Sequence, residues 1–229
     1  MRLKINLDTV HACPKKDLSM TEPPTPAPLK TRRAPKGEKR REELLDAALQ
    51  VFSLEGYSGA SVARVAAIAG ISVAGLLHHF PSKISLLMGV LQRRDEVNQR
   101  IADEVRAEKS LSGLLGSLRA INRSNASAPG VVRAFTILNA ENLLDTQPAW
   151  TWFQDRYAGI QRRLQGQFAD LVAMGEVRAD VDIAGLTEEI LAMMDGLQIQ
   201  WLRFPEQVDL VARFDTYIAR VDAAIRVRP

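Results

Sequence analysis

Two adjacent histidines, His78 and His79, stand just before a Phe80-Pro81-Ser82-Lys83 run, and their type invites chemistry. Imidazole binds metals, moves protons and donates hydrogen bonds. Neighbouring side chains on a helix diverge by about 100°, so the pair does not readily share one metal. No acid or cysteine stands nearby at ligand spacing. The third histidine, His11, lies in a proline-rich tail, and Cys13 is the single cysteine. A multi-cysteine zinc site and an intrachain disulfide are therefore excluded. The chain lacks the GxxxxGKS/T phosphate loop, the HExxH metal helix and the GxSxG nucleophile elbow. An all-α enzyme stays as a remote alternative, which turnover of a bound metabolite would revive. No catalytic residue, metal or cofactor is expected.

The chemistry that the same region does support is contact with a polyanion. Ser61 precedes Val62-Ala63-Arg64, and Ser72 precedes Val73-Ala74-Gly75. A serine so placed caps a helix by accepting a backbone N–H, and a capped helix N-terminus also attracts phosphate. Two short helices are expected, Val62 to about Ala69 and Val73 to about His79. Gly70 supplies the turn between them, and Pro81 ends the second, because the residue before proline avoids helical angles. Val62, Val65, Ala66, Leu76 and Phe80 form their inward faces. Arg64 and Lys83 lie where phosphates would pass. Val73, Ala74, Gly75, Leu77 and His78 face outward on the second helix, with His79 at its end. This is the plan of a helix-turn-helix, which lays its second helix in the major groove.

A helix over about 38–55 must support the pair. Leu44, Leu45, Ala48, Leu49 and Phe52 recur at spacings of three and four, and Gly56 stands where a helix-ending glycine belongs. Ser82 caps a long fourth helix toward Arg106. Breaks at Ser110–Leu111, Pro129–Gly130, Gln147–Pro148, Gly175–Asp180 and Phe204–Pro205 divide the rest into helices of roughly 111–126, 131–145, 148–174, 181–203 and 206–226. The class is all-α: an N-terminal three-helix DNA-binding head and a C-terminal helical body.

Charge is unevenly spread. The chain of 229 residues carries +3 overall, yet residues 30–41 hold seven basic residues, Arg40 and Arg41 among them, against Glu38 alone. Such an arm suits the DNA backbone or the minor groove, and a solubilising tail is the plainer reading. Residues 1–35 hold six prolines and no apolar periodicity, and are read as a disordered basic tail. Met20 is a second candidate start. The expected division is tail 1–35, head 36–98 and body 99–229. No apolar run approaches the ~20 residues of a membrane helix, and Met1 to Pro14 lacks a signal-peptide core. No membrane partner is expected, and the chain reads as cytoplasmic, nucleoid-associated when on DNA.

The segments Gly56-Tyr57, Ser61 to Ala66, Ala69 to Ser72, Leu76 to Lys83 and Leu86-Leu87 together resemble the TetR family of bacterial regulators over about 38–98. The resemblance implies a homodimer on a palindromic double-stranded operator, released by a small molecule bound in the body. A regulator of this kind is usually a repressor; an activator or a ligand-independent binder of the same fold is the alternative. The sequence departs from the family where Val73 replaces a usual lysine or arginine and Leu77 a usual tyrosine. Pro148 and Asp195-Gly196-Leu197-Gln198 look like a branch whose ligands are mostly unknown.

For the body, polar groups beside aromatic ones suggest an effector pocket from Phe135, Asn139, Asn142, Trp152, Phe153, Tyr157, Met194 and Gln198. The wide apolar stripes of the last two helices suggest a dimer interface through Ile190, Met193, Leu197, Trp201, Phe214 and Ile218.

Overall fold

A computed structural model describes residues 36–105 and 109–227. The tail, with Arg32 and Arg33 of the proposed arm, lies outside the described residues, as do Arg106 and its two successors. Among the described residues the chain is helical, with a single isolated bridge between Val177 and Arg226. The helices are α1 Lys36–Gly59, α2 Val62–Ile68, α3 Val73–His79, α4 Lys83–Val105, α5 Leu111–Ala126, α6 Pro129–Glu141, α7 Trp150–Ala173, α8 Ile183–Arg203 and α9 Leu210–Ile225.

Local chemistry sets most of these limits. The Ser61 hydroxyl accepts from the Arg64 N–H at 3.2 Å, and that of Ser72 from the Gly75 N–H at 3.1 Å. Ser110, Asp182 and Asp209 cap α5, α8 and α9 in the same way. Each such cap is worth about 1 kcal/mol. Gly70, at φ 67°, turns the chain between α2 and α3, a backbone region other residues rarely enter. Gly56, at φ 68° and ψ −174°, breaks α1 before its last turn, so the regular helix stops where the sequence placed its end.

The head core is built from Leu44, Leu45, Ala48 and Phe52 of α1, Val65 and Ala66 of α2, Leu76 of α3, Phe80, and Leu86, Leu87, Val90 and Leu91 of α4. Truncating a core leucine of this kind costs about 2–5 kcal/mol. This core continues into the body through Phe135 and Leu138 of α6, Ala149 and Phe153. A second core gathers α5, α7, α8 and α9 around Leu115, Phe168, Ile190, Phe214 and Ile218.

Several expected boundaries shift, three of them with a plain local account. Helix α6 stops at Glu141 rather than 145, because Asn142 donates to the Leu138 carbonyl at 2.7 Å and accepts from the Ala149 N–H at 2.8 Å, tying the next corner shut. Helix α7 begins at Trp150, two residues beyond Pro148. Helix α9 begins after its Asp209 cap instead of at 206.

Candidate nucleic-acid interface and effector cavity

Helix α3 turns Leu76 wholly inward and leaves Val73, Ala74, Leu77 and His78 exposed. Residues 73 and 77, and 74 and 78, are four apart, so these side chains share one face. Val73 and Leu77 are 41% and 38% exposed and lie one turn apart, giving this face an apolar strip. Gly75 lies at the edge of this face, and half-buried His79 meets His78 edge to face at 5.5 Å between ring centroids. Among the described residues no three histidine, cysteine or acidic groups gather as a metal site.

The surrounding cations already have protein partners. Arg64 reaches Glu55 at 2.6 Å, and Arg40 reaches Glu43 at 2.8 Å. Arg41 lies over the Phe80 ring at 4.9 Å. Lys83 donates to the Ser58 carbonyl at 3.4 Å and lies over the Tyr57 ring at 4.4 Å. Exposed pairs of this kind are worth about 0–1 kcal/mol, so they would be displaced at small cost by a competing anion.

The corner joining head to body was not anticipated in this role. The Tyr57 N–H donates to one Glu141 carboxylate oxygen at 2.6 Å, and the Ser58 N–H to the other at 3.4 Å. A Cβ on Gly56 would come within 2.5 Å of that carboxylate. Glu141, the last residue of α6, thus caps the last turn of α1, beyond the break at Gly56. Burial raises the Tyr57 phenol above its ordinary pKa.

A partly open cavity of about 690 Å³ lies among α4, α5, α6, α7 and α8. Phe135, Asn139, Phe153, Tyr157, Met194 and Gln198 line it. Asn142 and Trp152 do not. Asn142 is spent on the corner described above, and Trp152 packs edge-on against Phe153 at 5.0 Å and Phe135 at 6.3 Å. The cavity also presents charged groups that the sequence reading did not select: Arg94, Asp95, Arg156 and Asp195. Arg156 pairs with Asp95 at 2.9 Å. The Tyr157 hydroxyl donates to Asp195 at 2.6 Å and accepts from the Asn139 amide at 3.1 Å. Burial, then the adjacent Asp195 carboxylate, pushes the Tyr157 pKa up to about 12. Arg94 lies over the Phe135 ring at 3.8 Å. Burial, reinforced by the nearby Arg156 charge, holds its pKa below the usual guanidinium value. The signal that marks it is its place on the buried stripe of α4, three residues after Leu91 and seven after Leu87.

The six residues expected at a dimer interface divide. Ile190, Phe214 and Ile218 are fully enclosed within the protomer's own core, because α8 and α9 turn these side chains toward α5 and α7. They are unavailable to a partner chain. Met193 is exposed, Trp201 half-buried and Leu197 at the border of burial.

Comparison with known proteins agrees with this architecture. The sequence profile of bacterial regulatory proteins, tetR family, matches residues 44–89, and that of the BetI-type transcriptional repressor C-terminal region matches residues 151–223. The chain is similar to the HTH-type transcriptional repressor AcnR of Corynebacterium diphtheriae, at 30% identity over 69% of this chain and 78% of that protein. It is similar to the nucleoid occlusion factor SlmA of Vibrio campbellii, at 27% identity over 83% of this chain and 98% of that protein. A transcriptional regulator from Saccharomonospora viridis, solved in complex with choline, shares the fold with a TM-score of 0.69 and 20% identity, over 83% of this chain and all of that one. No single helix among the described residues is long and apolar enough to cross a membrane. The head matched by one profile and the body matched by the other settle the class: the chain belongs to the TetR family of bacterial regulatory proteins, and it is a DNA-binding transcriptional regulator and not an enzyme.

Proposed function

We propose that this regulator is a homodimeric repressor that leaves a palindromic operator when a small molecule enters the cavity of its body. The observation that carries the reading is the Glu141 link. Helix α6 lines the cavity with Phe135, Thr136, Asn139 and Ala140, and its last residue holds the last turn of α1. A ligand that moves α6 therefore acts directly on the head. We take the head as residues 36–98 and the body as 99–229.

In this reading α3 enters the major groove. Val73, Ala74, Gly75 and Leu77 touch base edges, where apolar groups suit thymine methyls, and His78 supplies a hydrogen bond. Ser61, Ser72, Arg64, His79 and Lys83 meet phosphates, with Arg40, Arg41 and the arm before them adding affinity. The dimer uses the outward side of α8, through Met193 and the half-buried Trp201 with Leu197 beneath them, against the small residues Ala219 and Ala223 on the exposed side of α9. Choline in the Saccharomonospora regulator supports a small-molecule ligand here too. Location follows function: cytoplasm, and nucleoid when DNA-bound, as the likeness to SlmA supports.

Deleting the gene in its host and reading transcription from its upstream region tests the sign of control. Raised transcription is the expected result. A fall would mark an activator.

A further inference from the structure

The cavity's own charges say what kind of molecule it takes, on the reading above that the cavity is the effector site. Two aromatic rings in its wall already face guanidinium groups. Phe135 has Arg94 at 3.8 Å and Arg156 at 5.6 Å from its centroid, and Tyr157 has Arg156 at 5.7 Å. A quaternary ammonium is held by open ring faces and carboxylates. Here the protein's own cations approach those rings, Asp95 is held by Arg156, Asp195 takes the Tyr157 hydroxyl, and the other two lining carboxylates, Glu96 and Asp155, are exposed to solvent.

Arg94 is the group left without a match. Its Nε is buried and has no hydrogen-bond partner. Its Nη2 has only a 3.4 Å contact with the neutral Asn125 side chain. Arg156 repels it, and Asp95 and Asp195 attract it only through space, each already holding another partner. A buried charge is costly to desolvate unless paired, and a guanidinium offers a planar fork that fits carboxylates. The same cavity also presents apolar side chains, Leu118, Ile121, Ile160, Leu164 and Met194 among them.

We propose that the cavity binds an amphipathic organic anion, whose acidic group pairs with Arg94 and whose apolar body lies along α5 and α7. A choline-type cation is the ligand class this lining disfavours, although a related fold was solved with one.

The test measures equilibrium binding to the full-length protein without DNA, so it does not depend on operator release. The probes are 1-anilinonaphthalene-8-sulfonate, an apolar anion, and its uncharged parent N-phenyl-1-naphthylamine, followed by fluorescence. Decanoate and choline serve as competitors. Arg94→Met and Arg94→Lys are compared with the wild-type chain, each first checked for helicity and for unchanged thermal unfolding. The anion is expected to bind about tenfold or more tighter than its neutral parent, as a charge-assisted bond implies. That preference should vanish in R94M, return in part in R94K, and be competed by decanoate but not choline. Equal affinity for the two probes, a preference unchanged in R94M, or displacement by choline alone would overturn the proposal. If the variants do not fold, the wild-type preference and the competition decide it. Success here with no effect of any anion on DNA binding would instead count against the effector-release reading.

Discussion

Glu141→Ala is the most informative single change at the joint between head and body. The carboxylate accepts the Tyr57 N–H at 2.6 Å and the Ser58 N–H at 3.4 Å. A hydrogen bond to a charged group is worth about 1.5–3 kcal/mol, and the second contact is too long to add much. The site is half-exposed, which favours the lower end, about 1.5 kcal/mol. For a protein of this size that lowers the midpoint of thermal unfolding by about 3–6 °C. Glu141→Gln keeps an acceptor and loses the charge, so its loss should be about half as large. Gly56→Ala adds a Cβ within 2.5 Å of the same carboxylate, at a φ of 68° that alanine rarely adopts, and should cost about 1–3 kcal/mol. In the double variant the carboxylate is gone, so the clash disappears while the backbone strain stays. The two losses should therefore add to less than their sum, a coupling that a double-mutant cycle by thermal unfolding reads directly. An E141A midpoint within about 1 °C of wild type, or strict additivity with G56A, would refute this account of the joint.

Other outcomes follow from the same structure. Ser72→Ala removes the cap of α3 and should destabilise by about 1 kcal/mol, read by urea unfolding with an unchanged slope. Leu77→Glu should leave unfolding unchanged, because the side chain is 38% exposed, yet abolish DNA binding through repulsion by phosphates. The three tyrosines, Tyr57, Tyr157 and Tyr217, all sit above the ordinary phenol pKa through burial. An alkaline spectrophotometric titration should then show no phenolate at the usual position, and Tyr157→Phe should remove the step at about 12. Because the folded Tyr157 pKa is raised, its contribution to stability is complete below about 10, the free-tyrosine value, and is lost as pH climbs toward 12. Deleting residues 1–37 should weaken DNA binding and flatten its salt dependence by about 0.9 in log–log slope for each phosphate contact removed.

The head was legible because its signals are local. Serine three residues before a needed N–H, glycine at a left-handed turn and proline after a helix each act within one turn of chain, and Ser61, Gly70, Ser72 and Pro81 all lie where that logic puts them. The inward face of Val65, Ala66, Leu76 and Phe80 followed from spacing. The body was less legible because its decisive contacts join residues far apart in sequence. Arg94 meets Phe135, Arg156 meets Asp95, and Glu141 meets Tyr57 across 84 positions. An apolar stripe also does not reveal what covers it. Ile190, Phe214 and Ile218 are covered by α5 and α7, so width alone misdirected them to a partner chain. Asn142, expected in the pocket, is buried, but its hydrogen bonds close a corner and do not reach the cavity.

The central claim is that the α3 face reads DNA. Selection of bound duplexes from a random pool by the purified full-length protein, followed by binding measured over a range of salt, tests it most directly. The account predicts a twofold-symmetric site with half-sites about one helical turn apart, bound at least about 1,000-fold more tightly than random duplex, and lost in L77E. Recovery of no common sequence, or equal affinity for selected and random duplex, would contradict it.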